Sequence, residues 1–486
     1  MLSCGGRVGV DAYGMQINKR RGMLRSRLFL AGTLSVATAL APGPVAAQPP
    51  SNPVEILFVG NSFTHGRYVP ALSYNAGPGN STNNDLVHDL LCPSLTAAGM
   101  CTSGAEAVAA VTPTAPTPGA TLLAQLAYLQ ANPSAQYTEV GPFGGVAGVF
   151  LQFTREAGLH YNVSLIAVSS ATLSGYLGNK GNELNMLPLI ASAKWDHVVM
   201  HDQSFRPLPT TVTVNGVGVP TRGVPTGFQS GVNGLTSAIQ AADAAANKKN
   251  AAITLTETQP MASYGFTSSN PDAPIFGSST VVQNGGNPAF APYVGAIDPL
   301  GQMASDLHNA YTGEASAYNA ANPNGSHIDV ALVGDAWVSA INLGIAVENP
   351  YLPRHPRQQV DLWDSNPLTA CCTTPIGYHP SSYGVYLDAL VIFYKITGVD
   401  PRTLRAEMDD DEHGRLFQSS AAHALGISAR DARLLAFAAR ETVQAGMPIC
   451  RPHAAPVWPC AMLKQLPHDD DDNHHDDNQH HDDNHQ

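Results

Sequence analysis

Basic residues are scarce in this chain. It carries 25 lysines and arginines against 38 aspartates and glutamates over 486 residues, for a formal net charge of −13. Nucleic-acid binding draws on clustered Lys and Arg facing phosphate, so this balance argues against that class of partner. Long apolar runs are missing too: the longest, Leu28 to Ala41, falls short of the ~20 residues that cross a bilayer. There is no CxxC, no HExxH, no GxxxxGK[ST] and no GxSxG. Their absence argues against zinc peptidases, P-loop enzymes and ordinary α/β-hydrolases.

What is present falls into four parts. Lys19, Arg20, Arg21, Arg25 and Arg27 precede the apolar run, and Val45-Ala46-Ala47 follows it. That order of charge, apolar stretch and small residues is expected of an export signal over residues 1–47 and of a secreted or periplasmic protein. A main domain is expected over 53–400 and a helical extension over 401–465. Residues 466–486 form a His/Asp-rich tail, HDDDDNHHDDNQHHDDNHQ from His468 to Gln486, that holds eight aspartates and thus most of the net charge. With no apolar residue to bury it is expected to be disordered, and either to bind divalent transition metals loosely or to act as a solvating, charge-repelling segment. Beyond Cys4, six cysteines remain: Cys92, Cys101, Cys371, Cys372, Cys450 and Cys460. An even number in an exported chain favours disulfides. Cys92 with Cys101 and Cys450 with Cys460 are the economical local pairs, although six cysteines permit about fifteen connectivities. Their spacing does not read as a zinc site.

Periodicity places five short buried strands, Val54 to Val59, Val163 to Val168, His197 to Met200, Ala252 to Leu255 and Ile328 to Val333. Between and after them lie helix-like segments: Leu122 to Gln130, Val146 to Ala157, Leu235 to Ala245, Gln302 to Ala321 and Tyr383 to Ile396. The expected fold class is α/β, a doubly wound, mainly parallel five-stranded sheet. Two stretches rich in Gly, Pro, Ser, Thr and Asn, Leu208 to Gly234 and Gly265 to Leu300, read as long loops walling a cleft at the carboxyl edge. Tyr264, Phe266, Phe290 and Tyr293 within or beside the second are candidates to stack on sugar rings. After residue 400, Arg402 to Met408, Leu416 to Leu425 and Ala429 to Ala445 read as helices. The run Asp409 to His413 reads as solvated charge at a helix end.

The chemistry concentrates in two places. ILFVGNSFTHG, Ile56 to Gly66, ends an apolar strand at Gly60 and sets Ser62 on a polar turn. A strand's carboxyl end is where an open α/β sheet binds ligands, and a serine there suits a nucleophile. The same Asn-Ser-x-Thr pattern also suits a helix N-cap. GYHPSSYGVYLDALVIFY, Gly377 to Tyr394, puts His379 on a loop just before a helix, where it suits a general base. Together with WDHVVMHDQS, Trp195 to Ser204, and VGDAW, Val333 to Trp337, these blocks resemble the SGNH (GDSL-like) hydrolases over residues 53 to 400. The likeness is to an uncharacterised bacterial branch with LFVGNSFT, an acidic-Gln-Ser run and HPSxxGxYLxA in that order.

The resemblance implies a flavodoxin-like sheet and a serine esterase that needs no cofactor and no metal. Its substrate would be a small-molecule or glycan ester, an O-acyl carbohydrate or a lipid-like ester, with no nucleic-acid partner and no membrane span. Ser62 matches the nucleophile and His379 the base. The oxyanion would be held by the backbone N–H of Ser62, by that of Ser170, where glycine is usual, and by the side chain of Gln203. The family's orienting aspartate falls three residues before the histidine, where this chain has Ile376. Asp364 is the candidate carried forward, with Asp361 and a backbone carbonyl left open. The rival readings are a non-catalytic glycan-binding protein on the same fold and a metal-binding protein acting through the tail.

Overall fold

The computed structural model describes residues 52–92, 141–178, 186–266, 291–352, 359–364, 377–404 and 419–449. The expectations for residues 1–47, for the helix at Leu122 to Gln130, for Phe290, for every cysteine except Cys92, for Asp409 to His413 and for the tail lie outside them. Cys92 itself is buried and disulfide-bonded.

Strand β1 (Val54–Gly60) sets the architecture. Ile56, Leu57, Phe58 and Val59 are all fully buried, which a strand achieves only when both faces of its sheet are covered. Along the chain follow β2 (Ala76–Pro78), β3 (Val87–Asp89), β4 (Tyr161–Ala167), β5 (His197–Met200), β6 (Thr211–Val214), β7 (Val217–Pro220), β8 (Ala252–Thr256) and β9 (Ile328–Ala331). Seven of them form one sheet in the order β2-β3-β4-β1-β5-β8-β9, with every pairing parallel. The expected five strands hold the order of a doubly wound sheet, with β1 at the switch point between β4 and β5. The count of five is corrected to seven. β2 and β3 extend the sheet beyond β4, and at three residues each, with Gly77, Pro78 and Asp89 among them, they carry no alternation to read.

The helices are α1 (Ser62–His65), α2 (Gly145–Glu156), α3 (Leu173–Leu177), α4 (Leu187–Ile190), α5 (Pro225–Ala245), α6 (Ala262–Gly265), α7 (Pro299–Ala321), α8 (Val333–Asn342), α9 (Ser382–Thr397), α10 (Ser420–Ala424) and α11 (Ala429–Ala445). Alternation along β1 splits the core in two. Ile56 and Phe58 join Phe150 and Phe153 of α2, Trp337 of α8, Phe393 of α9 and Leu435 of α11. Leu57 and Val59 join Leu173 of α3, Phe228 and Leu235 of α5 and Leu307 and Tyr311 of α7.

The stretch Leu208 to Gly234 is not the long loop expected. It contains the antiparallel β6–β7 hairpin, closed by Asn215 and Gly216, both at positive φ (50° and 81°). This is the Asn-Gly turn whose twist suits a two-residue hairpin. Helix α5 then starts ten residues before the expected Leu235. Its glycines serve packing: a Cβ on Gly231 would lie 2.5 Å from the Ser174 nitrogen, so only glycine lets α5 and α3 approach this closely.

One buried acid in this core has a measurable consequence. Asp388 on α9 is 1% exposed and accepts a 2.7 Å hydrogen bond from Trp337 Nε1. Burial pushes its carboxyl up to about 8, and the Trp337 bond only partly offsets this. A folded-state pKa above the unfolded value stabilises fully below the unfolded pKa and less as pH rises through the folded one. Asp388→Asn keeps the acceptor and removes the titration. The variant's Tm advantage over wild type is expected to grow between pH 4 and pH 8 in thermal melts. A gap that stays constant with pH would contradict this.

Candidate active site

The Ser62 turn is built by its cap. Asn61 precedes α1 in extended conformation; its Oδ1 accepts from Phe63 N at 3.1 Å, and Thr64 Oγ1 accepts from Asn61 N at 3.4 Å. These reciprocal bonds satisfy donors that a helix start leaves open. Gly60 is required by the same tightness: a Cβ there would sit 1.9 Å from Thr64 Oγ1. The Asn61 amide also donates to the carbonyls of Ala171 and His201, both at 3.4 Å. One side chain thus ties the end of β1 to the loops leaving both neighbouring strands.

His379 arrives from the opposite end of the fold. An antiparallel bridge between Trp363 and Pro380 holds its loop, and the Ser381 hydroxyl caps α9. Ser62 Oγ lies 2.9 Å from His379 Nε2, the separation for a hydroxyl donating to an unprotonated ring nitrogen. Both residues are buried, at 6% and 3% exposure. Phe63, at 5.0 Å between ring centroids, and Tyr378, also at 5.0 Å, pack against the imidazole. Burial first, then the charges of Arg67 and His65, hold His379 well below the ordinary imidazole pKa. Its base form is therefore the resting state at neutral pH.

Asp364 meets His379 in another way from that expected. Its backbone N–H donates to the His379 carbonyl at 2.9 Å, while Nδ1 of the imidazole is buried without a hydrogen-bond partner. The Asp364 carboxylate is therefore not on Nδ1: the main-chain pairing of the two loops brings the backbones together and leaves the ring edge unclaimed. Asp361 does not reach it either; its Oδ1 accepts from Trp363 N at 3.2 Å and its carbonyl accepts from Ser381 Oγ at 2.6 Å.

Ser170 and Gln203 lie on the loops that Asn61 braces. Ser170 follows β4 with φ 63°, a left-handed backbone that glycine adopts without cost. Gln203 follows β5, where Asp202 Oδ1 accepts from both Gln203 N (2.8 Å) and Leu173 N (2.9 Å). Burial raises Asp202 to about 6, against the lowering effect of those N–H groups and of Arg206. The next residue, Ser204, lies hydroxyl to hydroxyl 2.5 Å from Tyr378, the neighbour of His379. The acidic-Gln-Ser run thus links the β5 loop to the histidine loop.

The N-cap that the Asn-Ser-x-Thr pattern suits is Asn61, while its two braces to the β4 and β5 loops carry no local sequence signal. Asn61→Ala removes the cap and both braces. Stability is expected to fall by about 1–2 kcal/mol in denaturant melts; an unchanged melt would contradict the capping and bracing role. The two aromatics proposed for sugar stacking that are most deeply placed, Tyr264 and Tyr293, are 3% and 0% exposed and pack in the core, so they are unavailable to a ligand.

No protein-family profile matches the chain, and no curated protein does. Among solved structures, it is similar to a DUF4886 family protein from Bacteroides uniformis. That pair shares 11% identity over 81% of this chain and 96% of the other, with TM-score 0.35. It is also similar to a protein from Slackia heliotrinireducens, provisionally named an SGNH hydrolase, at 15% identity over 70% and 98% of the two chains, with TM-score 0.30. Among the described residues no helix is long and apolar enough to cross a membrane.

Proposed function

We propose that the protein is an exported SGNH-type serine hydrolase that cleaves a carboxylic ester, an O-acyl group on a carbohydrate or a small lipid-like ester. The single observation that supports it is the 2.9 Å contact between Ser62 Oγ and His379 Nε2, made across 317 positions of sequence at the carboxyl end of β1. Ser62 Oγ attacks the acyl carbon as its proton passes to His379 Nε2. The imidazolium then protonates the departing alcohol, and water reverses the sequence to free the acid. The backbone N–H of Ser62 sits at the first helical position, where no intrahelical acceptor exists. With the N–H of Ser170 and the amide of Gln203 it forms the proposed oxyanion hole. Choice of ester over amide, and export, rest on the sequence motifs and the basic-apolar pattern before residue 47.

The unpartnered Nδ1 favours a second reading, a glycan-binding protein that has lost turnover on the same fold. Release of acid from short-chain aryl esters and from O-acetylated polysaccharide separates the two. Catalytic release by the purified protein supports the hydrolase; saturable polysaccharide binding with no release supports the binder.

A further inference from the structure

We infer that Glu257, His308 and Asp335 form a site for one divalent first-row metal cation, of the zinc or manganese class, separate from the Ser62–His379 pair. The three residues come from three elements: Glu257 follows β8, His308 lies in α7 and Asp335 in the first turn of α8. Each offers one ligand atom, and these atoms lie within 4.8 Å of one another. Both carboxylate side chains are fully buried, while His308 keeps 19% of its side chain exposed and so opens the cluster to solvent.

The distances suit coordination. Nδ1 of His308 lies 2.8 Å from Asp335 Oδ2 and 3.8 Å from Glu257 Oε1. Two bonds of about 2.1 Å set their ligand atoms about 3.0 Å apart at a right angle and about 3.4 Å apart at the tetrahedral angle. The observed separations bracket these values, so small side-chain rotations complete the site.

Two further observations point to a ligand. Glu257 Oε1, the oxygen on the His308 side, and Asp335 Oδ1, the oxygen not bonded to His308, are buried atoms with no hydrogen-bond partner. Buried acid oxygens left this way are costly unless something positive meets them. The backbone is also shaped to hold the acids. Asp335 N donates to Glu257 Oε2 at 3.0 Å, and a Cβ on Gly334 would fall 3.2 Å from the Glu257 carboxyl carbon, so the start of α8 sits directly on it. This fixes one oxygen of Glu257 and turns the other toward His308. Carboxylate and imidazole together suit Zn²⁺ or Mn²⁺. Binding replaces the Nδ1 proton of His308 with the metal and releases it to solvent. Occupied, the site joins the end of β8 to α7 and α8.

The test uses the full chain, stripped by chelator, then titrated separately with Zn²⁺ and Mn²⁺, beside Glu257→Gln and His308→Gln. Bound metal is counted by elemental mass spectrometry after desalting, and Tm is followed. Histidines elsewhere, including those of His468 to Gln486, are common to all three chains and cancel in the difference. Wild type is expected to retain one metal equivalent more than either variant and to gain Tm on loading. The variants should bind at this site about 100-fold more weakly or worse, since even outer partners of a metal site cost about 10–100-fold. His308→Gln, on a partly exposed helix face, decides the matter if Glu257→Gln fails to fold. Equal stoichiometry and affinity in wild type and His308→Gln would overturn the proposal.

Discussion

Replacing Ser62 by alanine is expected to lower kcat on aryl esters by about 10²-fold. The size of this figure follows from the missing partner of His379. Removing a complete serine triad costs about 2 × 10⁶ in kcat, and removing its carboxylate alone costs about 3 × 10⁴, so a serine–histidine pair without the carboxylate holds only about 10² over the scaffold. In this chain Nδ1 of His379 has no partner, which places the protein on the lower rung from the start. A Ser62→Ala variant with undiminished turnover would remove Ser62 from the mechanism. A loss approaching 10⁶ would mean that substrate binding draws a carboxylate, Asp364 being the adjacent one, onto the ring.

His379→Gln is expected to cost about the same factor, and combining it with Ser62→Ala should cost no more, because the two act as one unit. The wild-type pH profile carries further information. The imidazole is held well below its ordinary pKa by burial, then by Arg67 and His65. In the proposed mechanism neutral imidazole is the working base, so kcat/KM should stay level as pH falls through 6.5 and decline only below it. Stability follows the same sign. A depressed folded-state pKa gives stability that is present above the unfolded value and lost as pH falls toward the folded one. His201 and His197, lowered by burial to about 3 and about 4, add to this acid sensitivity. Activity returning after a brief acid exposure separates titration of the base from unfolding. An acid limb centred at or above 6.5 would contradict the buried, neutral resting state.

How far the sequence reaches depends on the range of the interaction. The strands buried on both faces are continuous apolar runs, so β1, β4, β5, β8 and β9 are each visible alone. The β6–β7 hairpin was also legible, since Thr211 to Pro220 brackets Asn215-Gly216, yet the Gly and Pro content there suggested a loop. The start of helix α5 is obscured for a related reason: Gly231 and Gly234 look like breakers until α3 is seen against them. Strands of three residues, as β2 and β3 are, leave no periodicity to find.

The site divides along the same line. Ser62 at a strand end and His379 on a loop carry local signals, whereas the side of the imidazole facing away from Ser62 is set by how the 359–364 segment pairs with the histidine loop. That pairing runs through the backbone, to which sequence patterns are blind. Asn61 and the Asp202–Gln203–Ser204 run were in plain view, but their work of tying three loops together is visible only once β4, β1 and β5 lie side by side. Glu257, His308 and Asp335 share no spacing at all, because three separate elements deliver them.

The most direct test of the central pairing is covalent. Treated with a serine-reactive fluorophosphonate, the wild-type chain is expected to gain one adduct, mapped by peptide mass spectrometry to Ser62, with labelling markedly slower in His379→Gln. No adduct, or an adduct on another residue with the His379→Gln rate unchanged, would contradict the account.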